Sequence, residues 1–312
     1  MTHLKLCVLA AAAALAGCSP SFAKGPLPGA PENATFLDVD GAHVRFEDRG
    51  EGPAVVLLHG FASSLETWTA VVPELAKKHR VLTLDLKGFG WTDRPEGDYS
   101  PPAQAQLVLD LMKARGIEKA DVVAHSWGSS IALQMAMRAP ERVTSLALYD
   151  AWVYEEQLPT FFLWARADGL GEAMFSLWYD ERSDERIAYG FYDQERYVTE
   201  DLVEAVERSL QRPGTVAAAL AATRGQRFSE WQAKYATIQQ RTLLLWGRED
   251  QVTLPAFGER LAKDLPHAKL VLYPLCGHFP MIEQASASTA DLVEFLEAGA
   301  PQQPAAPKTD AK

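Results

Sequence analysis

Short apolar runs alternate along the chain with longer stretches in which apolar residues recur at helical spacing. Unbroken apolar runs are typical of parallel strands covered on both faces, whereas a spacing of about three to four residues indicates an amphipathic helix. The first two runs are joined by Asp40-Gly41, a tight-turn signal, and so predict a hairpin. Strands are predicted at 35–40, 42–48, 54–59, 80–85, 120–125 and 143–150, with helices at about 65–78, 102–115 and from 129 to Pro140.

This alternation stops at residue 151. Residues 151–238 have a helical pattern and hold 15 of the 30 aromatic residues in the sequence. Strands at 242–247 and 269–275 then follow, with helices at 255–265 and 286–298. Alternating strands and helices predict a parallel sheet, and a helical insertion between two strands predicts a cap. The predicted fold class is therefore α/β, with a mostly parallel sheet of eight strands, helices on both faces and a helical cap after the sixth strand.

The N-terminal residues have the pattern of an export signal. A short polar start precedes an apolar stretch that is too short to span a bilayer. The stretch ends in Leu15-Ala16-Gly17-Cys18, which resembles a bacterial lipobox. Residues 1–17 are therefore predicted to be a signal peptide and Cys18 to be lipidated, and Ser19 after it implies sorting to the outer membrane. A plain signal cut after Ala23 is the alternative, which would make the protein periplasmic or secreted.

Proline and glycine mark both ends of the folded part. Residues 18–34 are predicted to form a flexible tether and residues 299–312 a disordered tail. This leaves 35–150 and 239–298 as the α/β core and 151–238 as the cap. The sequence does not indicate an oligomeric state.

Composition and charge narrow the expected partners. The net charge is −11 and no run of Lys or Arg stands out, so no nucleic-acid partner is expected. Contact with a membrane is expected only through the N-terminal lipid. Beyond Cys18 the sequence keeps only Cys276, so no internal disulfide can form, and no HExxH motif is present. Neither a metal nor another cofactor is expected.

Residues 122–135, VVAHSWGSSIALQM, carry a signal of nucleophilic chemistry. A strand ending at His125 meets a helix with no room for a loop, which forces Ser126 into a strained backbone conformation. The stretch resembles the nucleophile elbow, G-x-S-x-G, of the α/β-hydrolase family, with Ala124 in place of the first glycine. The resemblance implies that Ser126 is a nucleophile at the carboxyl end of the sheet.

A second part of the family's pattern follows the third predicted strand. His59-Gly60-Phe61 resembles the family's HG segment, which implies that the backbone N–H of Phe61 points at a developing oxyanion. The N–H of Trp127, assisted by the helix N-terminus, would be the second donor. The simpler alternative is that His59-Gly60 is a turn at the end of a strand.

Two late loops complete a triad in the order Ser, Asp, His that the family uses. Asp250 follows the seventh predicted strand and His278 the eighth, so both should lie at the sheet edge that carries Ser126. The resemblance implies that His278 is the general base and that Asp250 is the acid that fixes its tautomer. Glu249 and Asp150 are the alternatives for the acid.

A serine with a histidine base implies acyl transfer through an acyl-enzyme. The aromatic cap favours a small-molecule ester or thioester with an apolar acyl or aryl group. Carbon–carbon bond hydrolases of the ring-cleavage type, lactonases and cofactor-free haloperoxidases have the same fold and are alternatives, although an exported location is at odds with ring-cleavage products made in the cytosol. An aminopeptidase and a binding lipoprotein without catalysis are the weakest alternatives.

Overall fold

The computed structural model describes residues 20–179 and 183–299. Its strands are β1 (Thr35–Val39), β2 (Ala42–Arg49), β3 (Ala54–Leu58), β4 (Arg80–Leu84), β5 (Ala120–His125), β6 (Val143–Tyr149), β7 (Arg241–Gly247) and β8 (Ala268–Tyr273). They form one sheet in the order β1-β2-β4-β3-β5-β6-β7-β8. β2 is antiparallel to both of its neighbours, and the other pairs are parallel. The predicted eight-stranded, mostly parallel α/β sheet is confirmed.

Helices cover both faces of the sheet and build the cap. In the described residues they are α1 (Val72–Leu75), α2 (Pro101–Ala114), α3 (Trp127–Arg138), α4 (Thr160–Trp164), α5 (Leu170–Trp178), α6 (Ser183–Tyr189), α7 (Gln194–Tyr197), α8 (Glu200–Leu210), α9 (Thr215–Gly225), α10 (Pro255–Asp264), α11 (Pro280–Glu283) and α12 (Ala285–Ala298). Helices α4 to α9 lie between β6 and β7, which confirms a helical cap after the sixth strand. None of the helices in this part of the chain is long and apolar enough to cross a membrane.

The continuous apolar run of β3 reflects burial on both sides of the sheet. Val56 and Leu58 belong to the hydrophobic cluster that contains residues of α2 and α3. Val55 and Leu57 belong to a second cluster, with residues of α1 and α12. Because successive side chains of a strand point to opposite faces, a strand covered on both sides needs apolar residues at every position.

The segment between β3 and β4 differs from the single helix predicted over 65–78. It contains a 3-10 turn at Leu65–Trp68 and the short helix α1. Pro73 has no N–H to donate and is tolerated only in the first turn of a helix, where it lies here. The apolar side chains of Trp68 and Leu75 are nevertheless fully buried, so they reach the sheet without a continuous helix.

Residues 22–27 of the N-terminal segment 20–34 contact the rest of the molecule, which corrects the expected flexible tether for that part of 18–34. Ala23 and Arg94 exchange backbone hydrogen bonds of 2.9 and 2.7 Å, and Gly25 donates its N–H to the Asp93 carboxylate at 3.0 Å. A proline- and glycine-rich composition does not prevent order where backbone donors find acceptors on a folded surface.

Three of the sequence predictions fall wholly or almost wholly on residues that the structure does not describe. They are the signal peptide of residues 1–17, the lipidation site Cys18 and the tail 299–312, of which only Gly299 is described.

Candidate active site

Ser126 occupies the tight turn between β5 and α3. Its φ is 51° and its ψ is −122°, a combination that L-residues rarely adopt and that costs about 1–3 kcal/mol. Backbone hydrogen bonds hold it there: Ser126 donates its N–H to Tyr149 at 2.9 Å, and its C=O accepts from Ser129 and Trp152 at 2.9 and 3.1 Å. The serine therefore stands at the carboxyl end of a central strand.

Two glycines allow the chain to approach the serine closely. A Cβ at Gly128 would lie 2.5 Å from the carbonyl oxygen of His59, and a Cβ at Gly60 would lie 3.2 Å from the Cβ of Ser126. The first distance excludes any side chain, and the second leaves very little room for one. Ala124, which stands where the family's pattern has its first glycine, is fully buried.

His59 fixes the peptide bond that precedes Phe61. Its Nε2 accepts the N–H of Leu86 at 2.9 Å, so the ring proton is on Nδ1, which donates to the C=O of Gly60 at 2.7 Å. Burial lowers the pKa of His59, so the ring is neutral. In a trans peptide the N–H of Phe61 points away from the C=O of Gly60.

The predicted oxyanion donors are both unoccupied within the described residues. Neither the N–H of Phe61 nor that of Trp127 is used in a hydrogen bond to another residue there. Trp127 is also the first residue of α3, where the helix dipole favours negative charge. Two free backbone donors beside a serine are what an oxyanion hole requires.

Asp250 and His278 are joined by a hydrogen bond of 2.9 Å between Oδ2 and Nδ1. The carboxylate also accepts the N–H groups of Val252 and Thr253 at 2.7 and 3.0 Å and the Thr253 hydroxyl at 2.5 Å. Burial acts to raise the pKa of Asp250, but the electrostatic attraction of the neighbouring His278 ring and the hydrogen bonds from His278 and Thr253 outweigh it and lower that pKa. The ionised carboxylate keeps the His278 proton on Nδ1 and leaves Nε2 as an acceptor.

The structure brings His278 to the side of the sheet that carries Ser126. The ring of His125, the residue before the serine, lies 4.7 Å from the ring of His278. The hydrogen bonds of the His278 ring are made at Nδ1, and Ser126 and His278 each keep 5% of their surface exposed. Catalytic hydrogen bonds often close only when a substrate binds, so Nε2 remains available to the serine.

The two alternative acids do not take the position of Asp250. Glu249 accepts the N–H of Cys276 at 3.0 Å. Asp150 is fully buried, and its Oδ1 accepts the N–H of Gly247 at 2.9 Å. Each alternative carboxylate therefore accepts a hydrogen bond from a backbone N–H group and none from the imidazole of His278.

Asp150 nevertheless bears on the charge of the site. A carboxylate oxygen of Asp150, a carboxylate oxygen of Asp250 and a ring nitrogen of His278 lie within 4.8 Å of one another. Burial first, and then the charge of Asp250, raise the pKa of Asp150 well above its ordinary value. Two carboxylates this close share one negative charge, so Asp150 is protonated and Asp250 is ionised. This spacing would also suit a metal ion, but the hydrogen bond between His278 and Asp250 already uses two of the three atoms.

The backbone of His278 is held from both the cap and the core. Its N–H donates to the C=O of Gly190 in the cap at 2.7 Å, and its C=O accepts from Nε2 of His125 at 2.8 Å. Burial lowers the pKa of His125 well below its ordinary value, so His125 is a neutral donor. His125 thus positions the loop that carries His278.

Glu283 ties the same loop to the cap. Its carboxylate accepts the N–H groups of Gly277, Tyr192 and Asp193 at 2.8, 2.9 and 3.2 Å. Sequence reasoning missed both Glu283 and Gly190, because contacts between distant segments leave no local pattern. The one available signal was a glycine within an aromatic stretch of the cap.

Aromatic rings connect the oxyanion loop with the cap. Phe61 lies 5.3 Å from Phe162 of α4 and 5.8 Å from Trp127, and Phe162 lies 6.1 Å from Trp152. The indole Nε1 atoms of Trp127 and Trp152 are buried without a partner. Aromatic rings therefore form part of the surroundings of the oxyanion donors.

Cys276 lies in the loop that carries His278 and has no exposed surface. Burial, together with the nearby carboxylates of Asp150 and Glu283, raises the pKa of its thiol far above the ordinary value. It is the only cysteine in the described residues, and it stays uncharged at neutral pH.

The fold and the arrangement of Ser126, His278 and Asp250 agree with a known family. Residues 53–285 match the family described as alpha/beta hydrolase fold. The chain belongs to that family, and the resemblance found in the sequence is confirmed at that level.

Several relatives are hydrolases of ring-cleavage products. 2-Hydroxymuconate semialdehyde hydrolase from Pseudomonas sp. (strain CF600) is 29% identical over 280 residues, 85% of this chain and 94% of that protein. 2-Hydroxy-6-oxo-6-phenylhexa-2,4-dienoate hydrolase from Burkholderia cepacia is 27% identical over 267 residues, 82% of this chain and 92% of that protein. Among solved structures, a meta-cleavage product hydrolase from Pseudomonas fluorescens has a TM-score of 0.74 and 27% identity, covering 85% of this chain and 98% of that one.

Proposed function

We propose that this hydrolase attacks a carbonyl carbon with Ser126, using His278 as the base and Asp250 as the acid that orients it. The observation that carries the proposal is the buried 2.9 Å hydrogen bond between Asp250 and His278, at the sheet edge where Ser126 is held at positive φ. The free N–H groups of Phe61 and Trp127 are proposed to bind the oxyanion.

The proposed reaction has two halves. Ser126 gives its proton to Nε2 of His278 as Oγ bonds to the carbonyl carbon, and the carbonyl oxygen becomes an oxyanion. The intermediate then expels its leaving group, which takes the proton from His278, and an acyl-enzyme remains. Water then loses a proton to His278 and attacks the acyl carbon. As the bond to Oγ breaks and the acid leaves, His278 returns that proton to Oγ and restores Ser126.

The first candidate for the bond broken is a carbon–carbon bond next to a ketone. Four relatives, 27% to 29% identical to this chain, are named for hydrolysis of 2-hydroxymuconate semialdehyde or of 2-hydroxy-6-oxo-dienoate-type compounds. A carbon leaving group departs only where conjugation spreads its electron pair, which a dienoate provides. These relatives favour the carbon–carbon alternative over the ester reaction expected from the sequence.

An apolar ester is the second candidate because the rings around Phe61 are uncharged and the two arginines that join the core to the cap are already hydrogen-bonded. A dienoate carries a carboxylate, which proteins bind best with a guanidinium or another cation. The buried guanidinium of Arg94 is already bonded to Thr215 and to backbone carbonyls, and that of Arg212 donates to the C=O of Gly90. The neutral aromatic rings around Phe61 would suit an uncharged substrate.

A substrate panel separates the two candidates. The purified protein is offered a 2-hydroxy-6-oxo-dienoate and p-nitrophenyl esters from acetate to decanoate, before and after treatment with a fluorophosphonate. A higher kcat/KM for the dienoate supports carbon–carbon hydrolysis, and a higher value for an ester supports the second candidate. If nothing is turned over and Ser126 takes no label, the proposal is wrong.

We also propose that Cys18 carries a lipid and anchors the protein to the outer membrane. The support is the run Leu15-Ala16-Gly17-Cys18 after an apolar stretch. Metabolic labelling with a palmitate analogue should mark the protein. A Cys18→Ala variant that is still labelled would contradict this proposal.

A further inference from the structure

Exposed apolar side chains are concentrated on one part of the cap. Of the nine large hydrophobic residues that are exposed in the described part of the chain, five lie between residues 163 and 178. We call these five the apolar cap face: Leu163 and Trp164 of α4, and Leu170, Leu177 and Trp178 of α5. Trp164 is 61% exposed and Leu177 58%. Concentrations of this kind mark surfaces that contact a partner.

The packing of α4 and α5 does not explain these exposed residues. The two helices meet through Phe161 and Phe175, whose rings lie 5.2 Å apart, and Phe175 also stacks on Tyr179 at 5.1 Å. Leu170 and Leu177, two turns apart, share a different side of α5. The interior of the cap is therefore formed without the apolar cap face.

The described chain begins beside α5. A pocket of about 400 Å³ is lined by Pro20 and Phe22 of the N-terminal segment, by Glu172 of α5 and by Arg224 of α9. Glu172 follows Leu170 in the first turn of α5, and Arg224 bonds to it at 2.7 Å. Pro20 and the apolar cap face are thus separated by no more than one surface pocket and one helix.

The N-terminal segment has little freedom to move away from this position. Its Ala23 is hydrogen-bonded to Arg94, and a Cβ at Gly214 of the cap would lie 2.8 Å from the backbone nitrogen of Ala23. Only Ser19 separates Cys18 from Pro20. Since an extended chain spans at most about 3.6 Å per residue, a lipid on Cys18 would hold Pro20 within roughly 10 Å of the bilayer surface.

We infer that the apolar cap face rests on the bilayer to which Cys18 is anchored. The inference depends on lipidation of Cys18 and is independent of the reaction proposed above. Tryptophan and leucine side chains partition into the membrane interface. Arg224 bonds to Glu172 and lies 3.6 Å from the exposed Asp168, so these three side chains together carry one negative charge. Because the chain has a net charge of −11, the contact is apolar and does not require anionic lipids.

The first test uses the full lipidated protein in phosphatidylcholine vesicles that contain brominated lipid. Bromine quenches tryptophan fluorescence on contact, so Trp164 and Trp178 should be quenched. A variant with Trp164→Phe and Trp178→Phe should lose most of this quenching, because these are the two exposed tryptophans of the described residues. Trp68, Trp127 and Trp246 are fully buried, and the other three are half-buried. If the quenching is the same in both proteins, the inference is wrong.

The second test measures vesicle binding without the lipid anchor, in a Cys18→Ala protein from which residues 1–17 have been removed. Leu170→Ser combined with Leu177→Ser should lower the partition coefficient about tenfold. Leu254→Ser, at a residue that is 52% exposed outside the cap, is the matched control and should leave it unchanged. Equal partitioning of the parent, the double variant and the control overturns the inference.

Two further outcomes would also overturn it. Mass spectrometry that finds no lipid on Cys18 removes its basis. Light scattering that shows a dimer, converted to a monomer by the Leu170→Ser and Leu177→Ser changes, would assign the face to a second copy of the chain. Substrate turnover measured in detergent does not depend on the bilayer, so failure of the proposed reaction is detected separately.

Discussion

The α/β core and the cap both reach the active site, but they hold their contributions in different ways. On the core, Ser126 and Asp250 are fixed by hydrogen bonds to residues of the same sheet edge or the same loop. The cap contributes Phe162, through ring contacts, and Gly190, through one hydrogen bond to the loop of His278. The core thus carries the proposed reacting groups, and the cap contributes an aromatic side chain beside Phe61 and one backbone contact to the loop of His278.

Burial differs between the two regions as well. The side chains of Val55 to Leu58 in β3 have no exposed surface, whereas α4 and α8 of the cap contain no buried residue. Segments that bury little surface open more easily than the core of a domain. We therefore expect the cap to open while the sheet edge keeps its geometry, and the contacts between Glu283 and the cap to decide how opening affects His278.

Ser126→Ala tests the core side and has the largest expected effect. Loss of the attacking oxygen should lower kcat about 10⁴-fold or more, while the protein stays folded. Ser129→Ala, a change at a buried serine of the same helix, is the matched control and should keep its activity. Unchanged turnover by Ser126→Ala would mean that another residue is the nucleophile.

Glu283→Gln tests the link between the two regions. The amide group would point a donor at one of the N–H groups of Gly277, Tyr192 or Asp193, so the loop of His278 should shift. We expect kcat to fall about 10- to 100-fold, with a smaller change in KM, because a small misplacement of a catalytic group is costly. The exposed Glu294→Gln is the control. If Tm falls and kcat does not, the link is structural only.

Asp150→Asn tests whether Asp150 is protonated in the folded protein. Above about pH 4 the unfolded chain ionises Asp150 while the folded protein keeps it protonated, so the wild type loses about 1.4 kcal/mol of stability per pH unit up to the raised pKa. Asparagine avoids this loss. The Tm of the variant should exceed that of the wild type by a few degrees at pH 7 and equal it near pH 4. A variant less stable than the wild type at pH 7 would mean that Asp150 is ionised.

Glu172→Gln probes the cap alone and has the smallest expected effect. Hydrogen bonds from Arg224 lower the pKa of Glu172 from 4.5 to about 2. This pair therefore adds stability above pH 4.5, and the contribution is lost as the pH falls towards 2. Because the pair is partly exposed, its loss should cost less than about 1 kcal/mol. Thermal melts should show a slightly lower Tm at pH 7, with a difference that shrinks in acid and an unchanged kcat.

The positions of the triad residues could be predicted because they depend on strand direction. Ser126, Asp250 and His278 each follow an apolar run, and parallel strands bring their carboxyl ends to one edge. The protonation of Asp150 could not be predicted, because it depends on the distance between two carboxylates. The same holds for Gly190, whose contact with the loop of His278 joins segments that are far apart in the chain.

The two incorrect predictions about local structure had different causes. The helix predicted over 65–78 rests on apolar spacing, whereas Pro73 is compatible only with the start of a helix, and a 3-10 turn and a short helix form there. The tether predicted over 18–34 followed composition, which carries no information about the partners that Phe22 and Ala23 find on the core. Periodicity and composition both describe a segment in isolation, and both fail where contacts with the rest of the molecule decide.

Cys276 makes the movements of the catalytic loop measurable. Its shielded, uncharged thiol reacts with an alkylating reagent only when the loop opens or the chain unfolds. If residues 1–17 are removed and Cys18 is lipidated as proposed, Cys276 is the one thiol left to react. The rate of alkylation therefore measures how often the segment that holds His278 opens. Cys276 lies two residues from His278, so this measurement needs no engineered label.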